Sequence, residues 1–156
     1  MKHNYWFYER GAGDADPRPL TLKMLMSPHV RALAPEQLVR DALHLVQAEA
    51  IHHIPIVEAD GRLVGLVTAT DLLQKVLHGN SLNDQERYHA TLDTMLPLRQ
   101  IMTQAVHTLG SHEPVAKAVA LFLKHKIRCV PVVDSGKLQG IVTETDMLRL
   151  MQHMVE

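Results

Sequence analysis

At 156 residues, 46% of them hydrophobic and 21% charged, the chain suits one compact domain or two small ones packed together, and the composition excludes a disordered protein. Lys and Arg number 16 against 17 Asp and Glu, a formal charge of −1, so no broad basic surface is available for duplex nucleic acid. The single cysteine, Cys129, rules out an intrachain disulfide framework and a cysteine-rich zinc site; no apolar run approaches the roughly 20 residues that span a bilayer, and residues 1–10 lack the features of a signal peptide, so a cytoplasmic location is expected.

Residues 1–19 stand apart from the rest. Tyr5, Trp6, Phe7 and Tyr8 precede a turn-rich linker, Gly11-Ala12-Gly13-Asp14-Ala15-Asp16-Pro17. They read as an arm that packs on the body or on a second subunit, with stacking against a ligand as the alternative. Residues 20–78 then predict a short helical turn, a strand over 30–33, a helix over about 38–49, and strands over 54–57 and 63–67. In that helix Val39, Ala42, Leu43 and Val46 recur at helical spacing. Thr68 opens a closing helix. Residues 79–97 form a connecting segment longer than a tight linker needs. Residues 98–156 predict a strand over 106–109, a helix over 114–125 with Pro114 at its first position, strands over 130–133 and 138–142, and a final helix.

The second series repeats the first. Gly65-Leu66-Val67-Thr68-Ala69-Thr70-Asp71 returns as Gly140-Ile141-Val142-Thr143-Glu144-Thr145-Asp146, and Ile54-Pro55-Ile56-Val57 returns as Val130-Pro131-Val132-Val133. Pro55 and Pro131 are 76 residues apart, as are Met26 and Met102, whereas Gly65 and Gly140 are 75 apart. One residue has been lost in the intervening turn. The fold expected is α/β (α+β): two tandem β-α-β-β-α units, each with a closing hairpin, packed about a pseudo-twofold axis so that apolar strand faces are buried against each other.

These two ordered copies resemble the CBS domain (the cystathionine β-synthase-type repeat), and the pair resembles a Bateman module, over about residues 20–154. The resemblance implies clefts between the repeats, lined by the apolar-Pro-apolar strand and the Gly-to-Asp element. It also implies an adenosine-containing ligand: AMP, ADP, ATP, adenosyl-methionine or a dinucleotide. The expected role is a stand-alone regulatory sensor, not an enzyme, acting on a protein partner or across a homodimer and requiring no cofactor.

The residue chemistry fits such a ligand. Asp71 and Asp146 offer acceptors for the two ribose hydroxyls. Backbone groups around Ile54-Pro55 and Val130-Pro131 can meet an adenine edge, because proline removes a ladder donor there. The hydroxyls of Thr68 and Thr143, with free amides at the following helix starts, suit phosphate oxygens, and His52 and Arg128 lie where a cation could meet a phosphate tail. The family often uses a hydroxyl residue at the position of Thr108, which is Ala32 in the first repeat. Asp146, Thr143, Thr108, Arg128, Val130 and Pro131 therefore form the fuller set, with Asp71, Thr68, His52, Ile54 and Pro55 as a weaker or empty second site. The competing reading makes Thr-x-x-Asp a helix cap only and the pair a ligand-free dimerisation module.

Other signals are set aside. His52 and His53 point to opposite faces of a strand, and no metal-binding His motif occurs. Cys129 sits beside a core strand with no identifiable base, and Gly11-Ala12-Gly13 lacks the rest of a dinucleotide loop. In the final helix Met147, Leu150, Met151 and Met154 form an apolar stripe, with Leu148 off it, expected to face a homodimer partner.

Overall fold

The computed structural model describes residues 19–77 and 94–155; the aromatic arm, the glycine linker and most of the connecting segment lie outside the described residues. The first repeat comprises α1 (Leu22–Leu25), α2 (Val39–Glu49), β1 (His53–Val57), β2 (Leu63–Thr68) and α3 (Ala69–Leu77). The second comprises a 3₁₀ turn (Leu98–Gln100), α4 (Val115–His125), β3 (Cys129–Asp134), β4 (Lys137–Thr143) and α5 (Glu144–Val155).

Equivalent positions take equivalent shapes. α2 buries Val39, Ala42 and Leu45 and stops at Ala50 in the left-handed region (φ 52°), while α4 buries Val115, Ala118 and Phe122 and stops at Lys126 (φ 53°). β1 pairs with β2 and β3 with β4, both antiparallel, with a bulge after Ile56 and after Val132. The lost residue falls between the hairpin strands. The second turn is a two-residue loop with both φ angles positive, at Ser135 (51°) and Gly136 (78°), as a tight right-twisted hairpin requires. The first turn is longer, with Gly61 at φ 86° and the Arg62 amide donating to Asp60 Oδ1 at 3.1 Å.

Residues 30–33 and 106–109 do not form the expected strands. Each makes one parallel bridge, Leu33 to Ile56 and Leu109 to Val132. The Leu33 amide donates to Pro55 O (3.1 Å) and the Val57 amide to Leu33 O (2.9 Å); the next ladder bond upstream would need an amide hydrogen on Pro55, which proline lacks. Pro131 ends the matching ladder in the second repeat, where Leu109 donates to Pro131 O (3.3 Å) and accepts from Val133 (2.8 Å). The hairpin edge is unaffected, because pairing runs straight through Pro55 with Leu66 and Pro131 with Ile141.

Two smaller expectations also change. Pro114 is the residue before α4, with an extended ψ of 143°, and not the first helical one. On α5, Met147 and Leu150 pack against the second repeat's core, and the outward apolar set is Leu148, Met151, Met154 and Val155. The spacing allows both faces, since 147/150 and 148/151/155 lie on neighbouring stripes of a helix.

The two repeats exchange their leading segments. Leu22 donates to Glu113 O (2.9 Å), Val115 donates to Leu20 O (2.8 Å), and Ser27 and Ile141 bond reciprocally at 3.0 and 3.1 Å. In return, Val39 donates to Leu96 O (2.9 Å), Leu98 to Gln37 O (2.8 Å), and Leu66 and Thr103 bond reciprocally at 3.0 and 2.9 Å. Leu22 is buried among Val115, Ala118, Phe122, Val130, Val132 and Val142, all of the second repeat. Leu98 is buried among Val39, Ala42, Ile54, Ile56, Val67 and Leu72 of the first. Among the described residues the buried apolar side chains thus gather mainly in two clusters, each completed by a borrowed lead.

The borrowed leads cross the glycines. A Cβ at Gly65 would lie 2.5 Å from Met102 Sδ, and one at Gly140 would lie 2.8 Å from both Met26 Sδ and the Ser27 carbonyl oxygen. Side chains can turn aside, but a carbonyl held by two strand bonds cannot. Gly140→Ala is expected to lose about 1–3 kcal/mol of stability by overpacking, with Gly65→Ala losing less because Met102 can change rotamer. Urea unfolding of the two variants checks the order; an equal or reversed loss would contradict this account of the crossing.

Candidate functional site

At each repeat's closing helix the strand passes directly into a capped start. The amide and hydroxyl of Thr68 donate to Asp71 Oδ2 at 2.9 and 2.7 Å, and the Asp71 amide donates to Thr68 Oγ1 at 3.2 Å. Thr143 and Asp146 repeat this at 2.8, 2.8 and 3.4 Å. These are reciprocal caps that satisfy otherwise orphaned helix amides. One carboxylate oxygen of each aspartate is therefore committed. The other oxygen of Asp146, a residue only 5% exposed, meets Arg149 Nη1 at 3.4 Å, while Asp71 is half-buried.

The first amide of each closing helix, expected to be free, is engaged. Besides the amides in the caps, Ala69 donates to His52 O (2.9 Å) and Glu144 to Arg128 O (3.1 Å). His52 and Arg128 thus hold the helix starts through their carbonyls and send their side chains to solvent. The Arg128 side chain is 77% exposed, with Nε 3.9 Å from Glu144 Oε2. It remains available to a ligand at the surface.

Ile54, Pro55, Val130 and Pro131 are fully buried. Because the Pro55 carbonyl faces Leu33, alternation along β1 turns the backbone of Ile54 toward β2, where it pairs with Val67. The same holds for Val130 and Val142. The unladdered edge belongs one residue upstream, to His53 and Cys129. This corrects the expectation that Ile54 and Val130 offer backbone to a base, and the signal was present in the sequence: the edge that proline strips of a donor is shared by residues two positions away, not one.

His53 also shows that the repeats meet here. Burial lowers its pKa most, His52 and Arg128 lower it further, and Glu144 and Asp71 oppose them. Residues at the starts of both α3 and α5 therefore lie within electrostatic reach of one imidazole. Cys129, at the place equivalent to His53, has its thiol pushed up to about 12 by burial, so it is an inert core group at neutral pH. Among the described residues, no group of three or more His, Cys, Asp or Glu is placed to hold a metal ion.

Thr108 is exposed and Ala32 half-buried, each just upstream of its parallel bridge. Neighbouring side chains tie these segments to the end of the helix that follows each of them, α2 in the first repeat and α4 in the second. In the first repeat Arg31 Nη2 meets Glu49 Oε1 at 2.7 Å; in the second, the rings of His107 and His125 stand 4.2 Å apart, tilted by 34°.

The CBS domain family profile matches residues 22–78 and 98–153. A CBS domain-containing protein of Dictyostelium discoideum is 29% identical over 136 residues, which cover 86% of this chain and 93% of that protein. The CBS domain pair of MJ0100, solved with 5′-methylthioadenosine and S-adenosyl-L-methionine, is similar at a TM-score of 0.72 and 27% identity, over 88% of this chain and 99% of that one. CBSX2, a CBS-pair protein of Arabidopsis thaliana, solved in complex with AMP, gives 0.73 and 25% identity over 88% and 99%. The chain spans under a quarter of the length of the first two enzymes it matches, 23% and 22%. With both repeats matched, the chain belongs to the CBS domain family, as a tandem pair of repeats.

Proposed function

We propose that this pair is a regulatory module that binds an adenosine-containing ligand, among AMP, ADP, ATP and adenosyl-methionine, at the starts of α3 and α5, both within electrostatic reach of His53. The observation that carries the reading is a doubled arrangement: a strand edge freed by proline lies beside an acidic, capped helix start, once in each repeat. An edge without ladder partners supplies fixed donors and acceptors for a base. With one oxygen held by its cap, Asp71 presents the other in a fixed place for ribose hydroxyls, whereas a ligand at Asp146 would share its second oxygen with Arg149, and Arg128 and His52 stand at the surface for a phosphate tail or other anionic group. The adenosine compounds bound to the MJ0100 pair and to CBSX2 support the same ligand class. Regulation requires that the ligand prefer one of two arrangements of the repeats, which the exchanged leads couple to each other.

The caps-only alternative keeps one observation in its favour, since Oδ2 of both aspartates is already used. Calorimetric titration with AMP, ADP, ATP and adenosyl-methionine, with and without magnesium, separates the two. Thr108→Val leaves both caps intact and is expected to weaken second-site binding by about tenfold, the equivalent of ~1.4 kcal/mol. Asp71→Ala and Asp146→Ala assign the sites, each with about 1 kcal/mol of stability lost from its cap. Absence of binding by protein freed of carried-over ligand would leave the dimerisation reading in its place.

A homodimer belongs to the same reading. Leu148 (64% exposed), Met151 (60%), Met154 (76%) and Val155 (84%) on α5, with Leu123 (77%) on α4, give the second repeat an uncovered apolar face. Among the described residues no helix is long and apolar enough to cross a membrane. A cytoplasmic setting, with a protein partner receiving the signal, completes the proposal. Sedimentation velocity is expected to show a dimer that Met151→Glu dissociates, and a concentration-independent monomer would remove the homodimer from it.

A further inference from the structure

The ties that hold the two cleft-side segments are equivalent in position and opposite in chemistry. His107 and His125 lie 76 residues beyond Arg31 and Glu49, so the stacked imidazoles of the second repeat occupy the place of the first repeat's ion pair. Each tie joins the residue before Ala32 or Thr108 to the last residue of the helix that follows, Glu49 of α2 or His125 of α4. Each segment is otherwise joined to its sheet by one bridge, at Leu33 or Leu109. The tie therefore adds a polar hold to the bridge and to the packing of Leu33 or Leu109 on its core.

Arg and Glu keep their charges throughout the range from pH 5 to 8, whereas imidazoles change theirs within it. Two neutral rings at 4.2 Å make a favourable contact. Two charged ones repel, and Lys124, beside His125 on α4, adds to the repulsion from His107. The pKa of His125 is lowered, first by desolvation and then by His107 and Lys124. The folded form thus binds protons less readily than the free side chain, and the stability it contributes is present above pH 6.5 and lost as pH falls below it.

We propose that the His107–His125 pair is a pH-sensitive latch on the wall of the second repeat's candidate site, closed while both rings are neutral and released when acid charges them, with Arg31–Glu49 as its pH-independent counterpart. Any effect on ligand affinity rests on the function proposed above. The opening itself does not.

Amide hydrogen exchange by NMR on the ligand-free protein tests it, with the first repeat as internal control. The Leu109 and Val133 amides report the second segment, and those of Leu33 and Val57 report the first. Between pH 7.5 and 5.0, protection at Leu109 and Val133 is expected to fall by about fivefold relative to Leu33 and Val57, the size of a repulsion between charges a few ångströms apart that are largely exposed to water, as both rings are. Grafting the first repeat's pair, His107→Arg with His125→Glu, is expected to abolish that difference. Should the graft not fold, His125→Gln, which does not titrate, is expected to do the same. Protection that changes in parallel in both repeats, or a pH-dependent difference that survives these substitutions, would overturn the latch; neither result depends on whether an adenosine compound binds.

Discussion

At Gly65 and Gly140 there is no room for a side chain, because the leading segment of the other repeat already crosses there. This mutual crossing is the constraint on which the rest of the structure depends. It brings Leu22 into the core of the second repeat and Leu98 into that of the first, and it fixes the strand edges through the Ser27–Ile141 and Leu66–Thr103 bonds. Each half takes its missing apolar surface from the other, so neither small unit has to bury a sufficient core alone.

The same exchange determines how the candidate site is framed. With the leads locked to β2 and β4, the strands that end in Thr68 and Thr143 are held in place, and both helix starts come within electrostatic reach of His53. Proline then shapes the opposite edge of each hairpin. By withholding one donor from a parallel ladder it frees the strand at His53 and Cys129 while leaving hairpin pairing whole. An interrupted ladder at the surface is a place where polar backbone needs another partner, whether water or ligand.

The two halves share geometry and differ in chemistry. His53 faces Cys129, Ala32 faces Thr108, and an ion pair faces a histidine stack at positions the fold makes equivalent. Duplicated sites thereby respond differently to one solvent. The second repeat also carries exposed apolar residues on α4 and α5.

The repeat, the α-β-β-α run that closes each copy and the Thr-x-x-Asp caps were legible in the sequence, because local chemistry dictates them: helical spacing of apolar residues, turn glycines and a hydroxyl three residues before a carboxylate act over a few positions. The repeated pattern also marked Gly65 and Gly140 before any contact was known. The sequence could not show why those glycines are required, since Met102 and Met26 approach them from the other repeat. Nor could it show that residues 30–33 and 106–109 would make one bridge each, or that the helix-start amides would be taken by the carbonyls of His52 and Arg128. Those outcomes depend on which chain segment lies across which edge, and only tertiary packing decides that.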